Sequence, residues 1–158
     1  MKICVIPARG GSKRIPGKNI KLLGNKPLIS YTIDAAVGSK VFDEIYISSD
    51  DTNIIEYAKS KNILIDERPI NLAGDTTTQV QVINEFIDRK KLSLNTQIAS
   101  LLPTCPFRTS QDIINAYNIF RKDISIPLIG VVAYDFPIQF ALSKENKSNS
   151  MTPFFENG

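Results

Sequence analysis

Short apolar, β-branched runs alternate with segments of helical periodicity at least four times along this chain, and that alternation restricts the fold more than any other feature. Lys2–Pro7 (KICVIP) reads as a buried strand. Pro27–Val37 reads as a helix, with proline at its first turn and Gly38 at its end. Glu44–Ser48 (EIYIS) is the second strand and Thr52–Ser60 the second helix. A short third strand is expected near Ile63–Ile65. Gln79–Lys90 repeats Val80, Ile83, Phe86 and Ile87 at helical spacing. Thr96–Leu102 is the fourth strand. Ser110–Arg121 is a helix with Ile113, Ile114, Tyr117 and Phe120 on one side, and Leu128–Tyr134 (LIGVVAY) is a fifth strand. The pattern predicts an α/β fold, a three-layer α/β/α arrangement around a mostly parallel, Rossmann-like sheet. Ligands of such sheets bind beyond the carboxyl ends of the strands. Chemistry is therefore expected in the loops Ala8–Gly17, Ser48–Asp51, Arg68–Thr78 and Pro103–Arg108.

The 158 residues include no histidine. That rules out a Ser-His-Asp triad, a Cys-His pair and any His-bearing zinc site. The length suggests one domain. Cys4 and Cys105 lie far apart in apolar surroundings and read as two reduced, half-buried thiols. No apolar run approaches the roughly 18 residues of a membrane span. The stretch Ile3–Pro7 is too short for the apolar region of a signal peptide. A cytoplasmic location without membrane association is the expectation. The final residues, Thr152–Gly158, hold Phe154 and Phe155 and no closing element, as expected of part of a longer protein.

The net charge of +3 conceals an uneven distribution. Residues 1–33 carry seven cations and no acid, whereas the other 125 carry 12 cations and 16 acids. A basic block of this kind attracts an anion, either the phosphates of a nucleotide or a nucleic-acid backbone. Tyr31 is the only aromatic in the segment, which disfavours nucleic acid.

Most of these cations lie around one loop. Gly10-Gly11 allows backbone N–H groups to approach an anion closely, and Ser12 can donate a hydroxyl. Arg9 can neutralise phosphate through its fork, and Lys18 as a point charge. The loop is not the G-x-x-x-x-G-K-[ST] motif: five residues separate Gly11 from Gly17, and Asn19 replaces Ser/Thr. It is not G-x-G-x-x-G either. On residue chemistry alone it is a phosphate cradle or a flexible, solvated turn.

The stretch IPARGGSKRIPGKNIK (6–21) resembles the opening signature of the acylneuraminate cytidylyltransferase family, which includes the pseudaminic and legionaminic acid cytidylyltransferases. The resemblance continues through ISSDD (47–51), ERPINLAGDTT (67–77) and PTCPFRTSQDI (103–113), and so covers nearly all of residues 3–135. It implies a nucleotidyltransferase sheet, with residues 1–135 as the nucleotide-binding domain. Arg9, Ser12, Lys18 and Asn19 would surround the phosphates and ribose of CTP, on the loop containing Gly10 and Gly11. Lys18, with Arg9, would stabilise charge during transfer. Arg68 would contact the nucleotide on the base side, Asp75 and Thr76 would line the site, and Thr104 and Arg108 would join it from the loop after the fourth strand. Asp50 could instead cap the second helix.

The implied reaction is attack by the anomeric hydroxyl of a nonulosonic acid on the α-phosphorus of CTP, with Mg²⁺ as cofactor. Three departures stand out. Leu102 occupies a position where the family often has Gln. No Asp-x-Asp, the family's metal-binding pair, occurs in the chain. Residues 136–158 resemble only the start of the insertion through which the family forms homodimers and completes its sugar site. The alternative expectation is a shortened member that holds CTP and performs no chemistry.

Overall fold

The computed structural model describes residues 1–133, 135, 141–144 and 151–155. The chain divides into two compact units, Met1–Ser125 and Ile126–Gly158. In the first unit the elements run β1 (Lys2–Pro7), β2 (Leu22–Leu23), β3 (Lys26–Pro27), α1 (Leu28–Ser39), β4 (Glu44–Ser49), α2 (Thr52–Ser60), β5 (Leu64–Glu67), α3 (Gln79–Lys90), β6 (Gln97–Ser100) and α4 (Ser110–Phe120). β2 and β3 form a small antiparallel ribbon. The main sheet has the order β5-β4-β1-β6, and all its pairings are parallel.

The unbroken apolar run of β1 follows from its central place: Ile3, Cys4, Val5 and Ile6 are all fully buried. Successive side chains of a strand point to opposite faces. Ile3 and Val5 accordingly meet Phe86 of α3, together with Tyr46 and Ile98. Cys4 and Ile6 face the other way, into a cluster with Ile29 and Ile33 of α1, Ile54 and Ala58 of α2, and Ile113 of α4. Three helices thus cover one face and α3 covers the other, giving the α/β/α layering. Right-handed crossovers explain the division. The chain steps outward from β1 to β4 to β5 through α1 and α2, then reverses past β1 to β6 through α3. Reversal of direction places α3 on the opposite face. Burial pushes the Cys4 thiol up to about 12, which leaves it an inert core group. Both cysteines are free, but Cys105 is exposed rather than half-buried.

Local chemistry sets the helix boundaries. The Asp51 carboxylate caps α2 by accepting from Asn53 N (2.8 Å) and Ile54 N (3.3 Å). Thr78 with Gln81, and Thr109 with Asp112, form capping boxes at the starts of α3 and α4. Two readings of helix α1 and α3 change. α1 continues past Gly38 to Ser39 and stops at Lys40, whose φ is 53°. Gly38 is a contact residue instead: a Cβ there would come within 2.5 Å of Ser110 Oγ on α4. On α3 the buried residues are Val82 and Phe86, while Val80 is exposed. Beneath α3 lies the buried Asp66 of β5. It accepts from Arg89 Nη2, which Glu85 also holds through Nε at 2.7 Å.

In the second unit, Leu142–Lys144 (β7) pairs antiparallel with Met151–Pro153 (β8). The expected fifth strand is not present among the described residues. Residues 128–133 have no strand pairing, Ile129, Val131 and Val132 are exposed, and Tyr134 lies outside the described residues. An apolar, β-branched run becomes a strand only where a neighbour takes up its backbone N–H and C=O groups. The segment 136–158, expected to begin an insertion, lies mostly outside the described residues.

Candidate functional site

The reversal of chain direction beside β1 opens a crevice at the carboxyl ends of β1 and β6, the switch point where such sheets bind ligands. A cavity of about 220 Å³ lies there. Its charged lining is Arg9, Lys18 and Arg68. Ser12, Asn19, Thr77, Gln79 and Thr104 add neutral hydrogen-bonding groups, and Pro7, Val82, Leu102 and Pro103 an apolar wall. Three cations and no carboxylate line this cavity, so its chemistry suits a ligand carrying several negative charges and a less polar portion.

The glycine-rich loop is an ordered turn. Ala8 N donates to Ser48 O at 2.9 Å as the chain leaves β1, and Gly10 N donates to Asp50 Oδ1 at 3.0 Å. Asp50 therefore braces the loop, and the capping role falls to Asp51. Gly10 packs directly against Asp51: a Cβ at this position would lie 2.5 Å from Asp51 Oδ2 and 2.8 Å from Asp51 Cβ. Gly11 has open space around it. Gly17, with φ of 62°, supplies the left-handed turn before Lys18. Asn19 is buried and spends its amide on the Arg9 carbonyl at 3.0 Å, while its own carbonyl accepts from Ile29 N. It thereby ties both ends of the loop to the start of α1.

A first prediction arises here. Gly10→Ala must displace the Asp51 cap and is expected to cost about 1–3 kcal/mol, whereas Gly11→Ala stays within about 0.5 kcal/mol. Urea unfolding of the two variants measures the contrast.

The loop after β5 lies over this turn. Asp75 accepts from Arg9 Nη1 at 2.8 Å and also pairs with Lys13. Lys13, and then Arg9, hold the Asp75 carboxyl below the usual carboxylate range, so it is ionised at neutral pH. Arg68 is buried, its Nε donating to Ser48 Oγ at 3.2 Å and its Nη2 to Ser48 O at 2.7 Å. Burial depresses the Arg68 guanidinium below the usual arginine range, Asp50 and Asp66 oppose that, and nearby Arg9 adds to it. Arg68 also borders a wider groove of about 360 Å³ between α2 and the ends of β4 and β5.

Of the residues singled out in the sequence, Arg9, Ser12, Lys18, Asn19, Arg68 and Thr104 converge on the cavity. Gly10 and Gly11 shape the loop without lining it, Asp75 reaches it through Arg9, and Thr76 is exposed beside it while Thr77 takes the lining position. Arg108 is not among the lining residues. Its Nη1 is buried without a hydrogen-bond partner, and its charge is felt at Cys4 and Asp112. Thr77 belongs to the stretch 67–77 that carries the resemblance, whereas Gln79 and Val82 had no local signature; the signal that could have found those two is the expectation that a helix entering from a strand-end loop opens beside the crevice.

Residues 3–120 match the family model described as Cytidylyltransferase, and the chain belongs to that family. Among its relatives, it is 37% identical over 150 residues to the pseudaminic acid cytidylyltransferase of Campylobacter jejuni subsp. jejuni, a match covering 92% of this chain and 65% of that protein. It is 38% identical over 125 residues to the CMP-N,N'-diacetyllegionaminic acid synthase of Legionella pneumophila, covering 75% of this chain and 53% of the relative. The chain thus spans less than two thirds of the length of these relatives. The fold is shared with a CMP:2-keto-3-deoxy-manno-octonic acid synthetase solved with CTP (TM-score 0.67, 21% identity, 80% of this chain and 49% of that one). It is shared also with a 4-diphosphocytidyl-2C-methyl-D-erythritol synthase (TM-score 0.66, 12% identity, 96% and 67%).

Proposed function

We propose that this chain is the nucleotide-binding part of an enzyme that transfers CMP from CTP to the anomeric hydroxyl of a nonulosonic acid. The observation that carries this reading is the convergence of Arg9, Lys18 and Arg68 on one cavity at the sheet's switch point. In the reaction the sugar hydroxyl oxygen forms a bond to the α-phosphorus of CTP. The bond from that phosphorus to the α,β-bridging oxygen breaks, and its electron pair leaves with pyrophosphate. The hydroxyl proton passes to solvent or a base. Phosphoryl transfer of this kind needs positioning and fixed positive charge more than covalent participation. Lys18 and Arg9 supply that charge, Ser12 and the loop backbone add donors, and Arg68 meets the nucleotide on its base side.

The pseudaminic and legionaminic acid enzymes among its relatives point to an acid of that kind as the acceptor. Magnesium belongs to the same reading. Among the described residues no three His, Cys, Asp or Glu side chains converge to hold a metal ion. A homodimer is part of the proposal too, supported by the exposed Phe154 and by Ile129, Val131 and Val132 in the second unit. The two free thiols fit a reducing, cytoplasmic setting. No described helix is long and apolar enough to cross a membrane.

The test is thermal unfolding with nucleoside triphosphates. At about 100 times its Kd, CTP should stabilise the chain by about 2.7 kcal/mol, a shift of roughly 5–10 °C for this size. ATP and GTP at equal concentration should give much smaller shifts. Equal shifts for all three would remove the cytosine preference.

A further inference from the structure

Arg68 is the one cation of the cavity that is more than nine-tenths buried, at 8% exposed, and among the described residues no carboxylate stands within ion-pair distance of it. A buried guanidinium without an ion pair is costly unless its donors are met by hydrogen-bond acceptors. Two of those acceptors come from a single residue. Ser48, fully buried at the end of β4, accepts from Nε through its hydroxyl and from Nη2 through its carbonyl. The same carbonyl takes the N–H of Ala8, the residue before Arg9, at 2.9 Å. The strand end therefore fixes two things at once: the plane of the Arg68 fork and the point at which the phosphate-binding loop leaves β1.

From this geometry we infer that Ser48 is a positioning residue of the nucleotide site, acting through Arg68. The inference rests on the proposed binding of CTP. With the hydroxyl on Nε and the carbonyl on Nη2, the guanidinium is held at two points, and in that pose Arg68 borders the cavity. Carbonyl bonding survives any side-chain change at this position, so loss of the hydroxyl loosens Arg68 without releasing Ala8.

The experiment is a double-substitution cycle read by calorimetric titration of CTP, and separately of inorganic pyrophosphate, into the chain. Ser48→Ala should weaken CTP about tenfold, the range of one hydrogen bond to a charged group. Pyrophosphate, gripped by Arg9 and Lys18, should change by less than about twofold, while the unfolding midpoint should fall by a few degrees because Nε of the buried guanidinium loses an acceptor. In an Arg68→Ala background the same Ser48→Ala change should cost nothing further for CTP. An equal loss with and without Arg68, a parallel loss of pyrophosphate, or unchanged CTP binding in Ser48→Ala would each overturn the inference. Should Ser48→Ala fail to unfold cooperatively, Ser48→Cys keeps the volume with a poorer acceptor, and the same cycle applies. Failure of the unsubstituted chain to bind CTP would instead bring down the functional reading and this inference together.

Discussion

Turnover is expected to fall by a factor of about 10²–10³ when Lys18 is replaced by Ala, the loss seen when one fixed donor to developing charge is removed. Lys18 follows the left-handed turn at Gly17, and its side chain lines the cavity without an ion pair among the described residues. A cation left unpaired by the protein loses none of its field to a neighbour, so its attraction is available to an anion in the cavity. Removing it should leave folding nearly untouched. Unfolding in urea should match that of the parent, while kcat for CMP transfer collapses and KM for CTP rises far less. Unchanged transfer from CTP in Lys18→Ala would remove this residue from its role.

The second large effect concerns stability. Arg89→Ala should cost about 3 kcal/mol or more, because it strands the Asp66 carboxylate inside the protein. Asp66 is 1% exposed, its Oδ2 already lacks a hydrogen-bond partner, and Arg89 is the one cation in ion-pair contact with it among the described residues. The guanidinium also bridges to Glu85, one turn earlier on α3, and so fastens that helix to the edge strand β5. Loss of the bridge should lower the urea midpoint sharply. Replacing both partners together, as in Asp66→Leu with Arg89→Met, should recover most of the loss, since an apolar pair needs no compensation. A single variant as stable as the parent would show that solvent reaches Asp66 in solution.

Much of the architecture was legible because burial on both faces writes itself into β1 as a continuous apolar run, and because α1 opens on Pro27 while α2, α3 and α4 each open on a side-chain cap. The cations of the first loop were legible for a similar reason: they cluster within a few residues of each other. What escaped depends on contacts distant in sequence. Ser48 with Arg68 and Asp66 with Arg89 are separated by 20 and 23 residues, and neither pair has a local pattern. Gly38 looked like a helix stop because glycine commonly is one, yet it is kept small by the approach of Ser110 on α4. Leu128–Tyr134 had the composition of a strand, but composition does not supply the neighbour that a strand requires.

The embrace of Asp75 by Arg9 and Lys13 has a consequence for how a nucleotide would arrive. Two of the positive groups at the entrance already have a negative tenant belonging to the protein itself. An incoming phosphate would evict that tenant rather than fill a void, so the net gain is the difference between two similar attractions. Such an exchange favours ligands dense enough in charge to win it, and lets weakly charged anions pass by.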